Sequence, residues 1–200
     1  MMKKTEKAAQ PLAGYETLVC VTGGIACYKV ADLASKLVQA GCGVHVALTD
    51  AAREFIQPLT FQSLTGRQVY TSLWQSTQYY DMQHISLTEA ADLVVVAPAT
   101  ADIIGKMAGG IADNLVSTII MASHGSCPTL IAPAMNLRMW QAPAVQANIQ
   151  RLRQWGVQVV GPDEGRLACG TVGPGRMAEP ADILKAIQAI VLKKPPKRAR

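Results

Sequence analysis

The 200 residues are half hydrophobic and five per cent aromatic, which suits one α/β domain with its own core around a buried parallel sheet. No apolar run approaches the ~20 residues of a membrane helix, and MMKKTEKAAQPLAGYE lacks an apolar stretch ending in a cleavage site, so the expected location is cytoplasmic. The net charge of +5 sits in the ends, +2 from Lys3, Lys4 and Lys7 against Glu6 and +5 from residues 193–200, leaving −2 on the body, which shows no nucleic-acid-reading motif.

Two tails, 1–15 and the basic 193–200, flank a domain at 16–192. TLVCVT (17–22) is a β-rich apolar run ending at Gly23-Gly24. IACYKVADLASKLVQAG then places Ala26, Val30, Leu33, Ala34 and Leu37 on one helical face, closed by Gly41. GVHVALT (43–49) is the next strand, with Thr49-Asp50 able to cap a following helix. DLVVVAPAT (92–100) is the clearest buried strand; PTLIAPAM (128–135) and VQVVGP (157–162) complete the set. Helices are predicted over 101–109, 113–123, 142–155 and 180–192. Strand and helix alternate, so the predicted fold is a single doubly wound parallel sheet with helices on both faces, Rossmann-like or flavodoxin-like.

In such sheets ligands bind beyond the carboxyl ends of the strands. The turn TGGIACYK leads into a helix N-terminus whose free N–H groups favour a phosphate. It matches neither G-x-G-x-x-G nor a P-loop, and Gly23-Gly24 alone also reads as a simple tight turn. Pro98-Ala99-Thr100-Ala101-Asp102 repeats the arrangement, with Thr100 placed to cap a helix and meet a ligand. One phosphate cradle fits a mononucleotide better than a dinucleotide.

The five cysteines, Cys20, Cys27, Cys42, Cys127 and Cys169, form no C-x-x-C pair, and His45, His84 and His124 lie at no ligand spacing. Neither a disulfide framework nor a metal site is expected. Four of the cysteines read as small hydrophobes. Cys169 stands apart in RLACGTVGPGRMAEP, whose glycines and prolines predict a mobile loop that is neither helix nor strand.

TGGIACYK, LTDAAREFIQPLTFQSLTG, QHISL, APATADIIGKMAGGIADNL, PAMNLRMW and ACGTVGPGRMAEP occur in one order over residues 17–180. Together they resemble the flavin-containing cysteine decarboxylases, most closely the branch acting on 4′-phosphopantothenoylcysteine in coenzyme A biosynthesis. The resemblance implies bound FMN, a homotrimer or a homododecamer built of trimers, and a site shared across the trimer interface. It implies His84, Asn136 and Cys169 as the catalytic set, with Cys169 on a flexible clamp as the proton donor. Met139, Asn136, Gly170, Arg176 and Met177 would hold substrate. Gly23, Gly24, Ile25, Thr49 and Phe61 would contact FMN, as would Pro98, Ala99, Thr100, Asp102 and Met135.

The chemistry asks for such residues. An α-amide carboxylate loses carbon dioxide only once an electron sink stands β to it, which flavin oxidation of CH₂–SH to a thioaldehyde supplies. Reduction afterwards needs an acid that keeps its proton near pH 7, as a thiol of ordinary pKa ~8.5 does. His84 reads equally as base or orienter, and Arg176 as a ligand of substrate phosphate or of the clamp backbone. A separate phosphopantothenate–cysteine ligase would be a partner, since many relatives carry one as a second domain. The alternatives are a peptidyl-cysteine decarboxylase, a prenyl-transferring flavoprotein and a non-catalytic FMN-binding regulatory subunit.

Overall fold

The computed structural model describes residues 10–74 and 83–197. In chain order the elements are β1 (Glu16–Val21), α1 (Cys27–Gln39), β2 (Gly43–Leu48), α2 (Asp50–Arg53), α3 (Pro58–Thr65) and β3 (Val69–Tyr70). Then come α4 (Gln83–Ala90), β4 (Leu93–Ala99), α5 (Ala101–Gly109), α6 (Leu115–Ala122), β5 (Thr129–Pro133) and α7 (Leu137–Gln141). The chain ends with α8 (Pro143–Gln154), β6 (Gln158–Val159), β7 (Asp163–Arg166), β8 (Val172–Arg176) and α9 (Pro180–Val191).

Six strands pair in parallel in the order β3-β2-β1-β4-β5-β6. Strand order reverses between β1 and β4, so the crevice beyond their carboxyl ends is the topological switch point. Every residue of β1 and β4 is buried, because helices cover both faces. On one face α1 sets Val30, Leu33, Ala34 and Leu37 against Val19, Val46 and Val95, with α9 beside it through Ile183 and Ile187. On the other, α5, α6 and α8 bring Ile103, Ile104, Val116, Ile119 and Ile149 onto Leu18, Val94 and Val96. Each such side chain contributes about 1.5–3 kcal/mol of transfer free energy on burial.

Local signals set the boundaries near the site. Thr49 and Thr100 cap α2 and α5 by accepting from Ala52 N and Ile103 N. Gly110, with φ +68°, closes α5 in the left-handed region that other residues avoid. The predicted 142–155 helix is α8, opened by Pro143 after the extended Ala142, and a short unpredicted helix, α7, precedes it. The predicted 157–162 strand pairs only over β6.

The 166–180 segment departs most from expectation. It contains a strand: β8 pairs antiparallel with β7 as a separate two-stranded sheet. Leu167 N–H donates to Thr171 O (2.8 Å) and Gly170 N–H to Leu167 O (2.9 Å), closing a five-residue tip with Cys169 inside it. The glycines permit this, since a Cβ at Gly175 would strike Met135 O and one at Gly173 would crowd Leu137.

Boundaries at 16 and 192 leave packed residues on both sides. Leu12 is fully buried. Tyr15 Oη donates to Lys194 O (2.7 Å), and Lys197 N–H donates to Asp92 Oδ1 (2.7 Å).

Candidate active site

An open cavity of about 710 Å³ lies at the switch point, within the range of cofactor and ligand clefts. Gly23, Gly24, Ile25 and Tyr28 form one wall, Thr100 and Ala101 a second, and Ala134–Asn136 with Met139 a third; the hairpin from Arg166 to Cys169 and Gly175–Met177 covers it.

The two turns at its floor are fastened to one another. Thr22 Oγ1 donates to Pro98 O (2.5 Å) and lies 3.2 Å from Thr100 Oγ1, while Thr100 N–H donates to Thr22 Oγ1 (3.3 Å). Gly23 allows the close approach of α2: a Cβ there would lie 2.5 Å from that of Ala51. A Cβ at Gly24 would meet only Thr100 Cγ2, at 3.9 Å, so Gly24 leaves backbone open to the cavity. The N-terminus of α1 begins beside it with no side-chain cap, and its N–H groups and dipole favour an anion there. This cradle and the size of the cleft fit a flavin mononucleotide.

At the far wall Asn136 performs two tasks. Its Oδ1 caps α7 by accepting from Arg138 N (2.8 Å), and its Nδ2 donates to Cys169 Sγ (3.1 Å). Thr171 Oγ1 also shares a hydrogen bond with Sγ (3.1 Å). These contacts, the Thr171 hydroxyl first, pull the exposed Cys169 thiol below its ordinary value. That corrects the expectation of an unshifted acid. Burial drives the other thiols the opposite way: Cys20, Cys27 and Cys127 are raised, and Cys42 is pushed up to about 11.

Of the expected cofactor contacts, Gly23, Gly24, Ile25, Thr100 and Met135 line the cavity. Five others do not. Phe61 is fully buried in the core, Pro98 and Ala99 lie within β4, Thr49 is turned to its capping bond, and Asp102 pairs with Lys106 (3.2 Å). Asn136, Met139, Cys169, Arg176 and Met177 line the cavity; Gly170, at the hairpin tip, does not. His84 lies on α4, which packs against α6 and β1, and is absent from this cleft.

The structure adds residues that the motifs left unread. Lys29 Nζ donates to Glu179 Oε1 (2.7 Å) and Met177 O (3.2 Å), fixing the segment after the hairpin onto α1. Arg176 donates to the same Glu179 oxygen (2.7 Å) rather than to clamp backbone. Lys29 holds the Glu179 carboxyl below its ordinary range, with Arg176 adding to the effect. Arg166 joins Lys29 and Arg176 on the lining, so the cavity wall carries an excess of positive charge. Lys29 stood within TGGIACYK; only its partner, 150 positions away, was invisible locally. Among the described residues no group of His, Cys, Asp and Glu could hold a metal, and no helix is long and apolar enough to cross a membrane.

A doubly wound sheet with a phosphate cradle at its switch point and a hairpin over the opening defines a mononucleotide-binding α/β protein. The chain belongs to the Flavoprotein family, which it matches over residues 5–192. It is 49% identical over 168 residues to the coenzyme A biosynthesis bifunctional protein CoaBC of Bacillus subtilis (strain 168), covering 84% of this chain and 41% of that protein. It therefore spans under half the length of the curated relatives it matches. A cysteine-to-serine mutant of PPC decarboxylase complexed with pantothenoylaminoethenethiol superposes with TM-score 0.79 at 30% identity, covering 88% of this chain and 97% of that one. The FMN-binding protein AtHal3 also gives TM-score 0.79 at 30% identity, covering 91% and 99%.

Proposed function

We propose that residues 16–192 form an FMN-dependent decarboxylase domain that converts 4′-phosphopantothenoylcysteine to 4′-phosphopantetheine in the cytoplasm. The observation that carries this reading is the Asn136–Cys169 pair, set across one cavity from a phosphate cradle. The similarity to the CoaBC proteins and to the PPC decarboxylase supports the substrate.

Gly23, Gly24, Ile25, Thr100 and Met135 would hold FMN, which supplies a two-electron oxidation of the substrate's CH₂–SH and its later reversal. Asn136, neutral and a donor, holds the substrate carboxylate without fixing it as an ion pair would, so carbon dioxide can leave. Met139 and Met177 close apolar surface over the reacting carbon, and Arg166, Lys29 and Arg176 make the wall favourable to the substrate's phosphate. After carbon dioxide leaves, Cys169 gives its proton to the carbon that carried it; the hydride needed at the sulfur-bearing carbon is what bound FMN would supply. Cys169 is left a thiolate held by Thr171 and Asn136, and recovers its proton from water.

His84 stands outside the cavity of its own chain, which supports a site completed by a second copy, in a homotrimer or a homododecamer of trimers. A ligase acting on phosphopantothenate and cysteine would supply the substrate, either fused beyond this chain or separate.

Mass spectrometry after anaerobic incubation of the purified protein with FMN and 4′-phosphopantothenoylcysteine tests the reading. Loss of carbon dioxide with no net loss of hydrogen is expected. Unchanged substrate, from protein that retains flavin, would overturn it.

A further inference from the structure

We propose that Thr171 is a positioning residue for Cys169, its hydroxyl anchoring the thiol at the hairpin tip toward Asn136 so that the proton is delivered from a fixed place. The catalytic meaning of this inference rests on the decarboxylase reading; the geometry does not.

Thr171 is tied into the tip through its backbone. Its carbonyl accepts from Leu167 N–H (2.8 Å), and the next residue, Val172, begins β8. The side chain is therefore presented from a closed turn, not a free loop. Its Oγ1 lies 3.1 Å from Cys169 Sγ, and Asn136 Nδ2 reaches the same sulfur at 3.1 Å from α7. One sulfur thus has two partners on two elements, one on the hairpin itself and one on α7.

Once the proton has gone, the roles are forced. A thiolate only accepts, so the Thr171 hydroxyl must donate, together with the Asn136 amide. Both stabilise the charged form. The charged groups on the surrounding elements are Asp163, Glu164, Arg166 and Arg176 on the hairpin, Arg138 on α7 and Lys29, Asp32 and Lys36 on α1, with Glu179 paired to Lys29 and Arg176. The downward pull on the thiol nonetheless comes first from the Thr171 side chain and then from its backbone, with Asn136 contributing less. The hydroxyl therefore sets how readily Cys169 yields a proton and how long the thiolate persists.

Two variants separate the hydroxyl from the shape of the side chain. Thr171→Val keeps the β-branched form and removes the hydroxyl; Thr171→Ser keeps the hydroxyl. The measurement is the pH profile of Cys169 alkylation by iodoacetamide, followed by mass spectrometry of the peptide carrying it, which needs neither substrate nor an active enzyme. The Thr171→Val midpoint should move to higher pH, with alkylation near pH 7 slowed by about two- to tenfold, the range of one net hydrogen bond. Thr171→Ser should restore the parent profile. With 4′-phosphopantothenoylcysteine, Thr171→Val should still release carbon dioxide but yield a larger share of unreduced enethiol. A Thr171→Val profile superimposable on the parent overturns the proposal even if the enzyme decarboxylates. A shifted profile in a protein that leaves the substrate unchanged upholds the thiol contact and overturns the decarboxylase reading instead.

Discussion

Asn136 Nδ2 donates to Cys169 Sγ across 3.1 Å, joining the start of α7 to the tip of the β7–β8 hairpin, 33 positions later. The contact brings the two halves of the proposed chemistry, carboxylate holding and proton delivery, within one hydrogen bond. It also makes the cover part of the site, since Cys169 on the hairpin is bonded to Asn136 beneath it.

Asn136→Asp separates this role from the capping one. Aspartate caps helices as well as asparagine does, so the bond from Arg138 N and the fold should survive. The donor to Cys169 is lost, and a negative charge faces both the thiol and the substrate carboxylate. We expect kcat/KM to fall by about ten- to a hundredfold, the size of one hydrogen bond to a charged group. Steady-state kinetics beside a melting curve checks this, and unaltered kcat/KM would remove Asn136 from the site.

The sheet was legible because its signals are local. β4 is a continuous apolar run and β1 carries one over residues 18–21, and α5 falls where Thr100 and Gly110 punctuate the chain. In the 50–91 region only the helix that Thr49-Asp50 caps was predicted, although Pro58 opening α3 and Gly66 closing it are visible signals; the helices there are short, and β3 spans two residues. The hairpin was hidden for another reason. Its glycines look like breakers, yet Gly173 and Gly175 serve close packing against Leu137 and Met135, contacts that no spacing rule encodes. Of the residues that motif membership singled out, Gly23, Gly24 and Thr100 line the cavity, whereas Phe61 is buried in the core, which no motif encodes.

Gly23 and Gly24 should respond differently to alanine. In Gly23→Ala the new methyl collides with Ala51, its Cβ at 2.5 Å and its backbone carbon at 2.7 Å, so α2 must move. Stability should fall by about 1–3 kcal/mol, as overpacking does, and flavin should be lost with it. In Gly24→Ala nothing lies nearer than 3.9 Å, so stability should hold while the methyl intrudes on the phosphate cradle. Flavin titration by fluorescence, paired with thermal melts, distinguishes the two. Equal flavin affinity in Gly24→Ala and the parent would place the phosphate elsewhere.

Glu179 predicts a signature in acid. Lys29 first, with help from Arg176, holds its carboxyl below the ordinary value of 4.5. For a carboxyl whose folded value is lowered, the stabilisation is present above the unfolded value and lost as pH falls through the folded one. Relative to the parent, Glu179→Gln should therefore show a constant Tm deficit from neutral pH down to about 4.5. Below that the deficit should shrink as the parent loses its own ion pairs. The deficit should also shrink in high salt, because the Glu179 side chain is 46% exposed. Parallel melting curves against pH, with no convergence in acid, would show that the Lys29 and Arg176 contacts carry no charge-dependent stability.

The last prediction concerns where the folded body begins. Leu12 is fully buried in the cluster that includes Val191, and Leu12 N–H donates to Ala40 O (2.9 Å). Truncating a fully buried leucine costs about 2–5 kcal/mol through lost transfer energy and the cavity left behind. In a body of this size that corresponds to a Tm lowered by roughly 4–20 °C. Tyr15→Phe, which removes only the donor to Lys194 O, should cost less, about 0.5–1.5 kcal/mol. Calorimetry of Leu12→Ala and Tyr15→Phe gives the answer directly. Losses of this order make residues 10–15 and 193–197 two sides of one seam that holds α1 and α9 against the sheet. A Leu12→Ala change within a few tenths of a kcal/mol of the parent would instead return residues before 16 to the status of a dispensable tail.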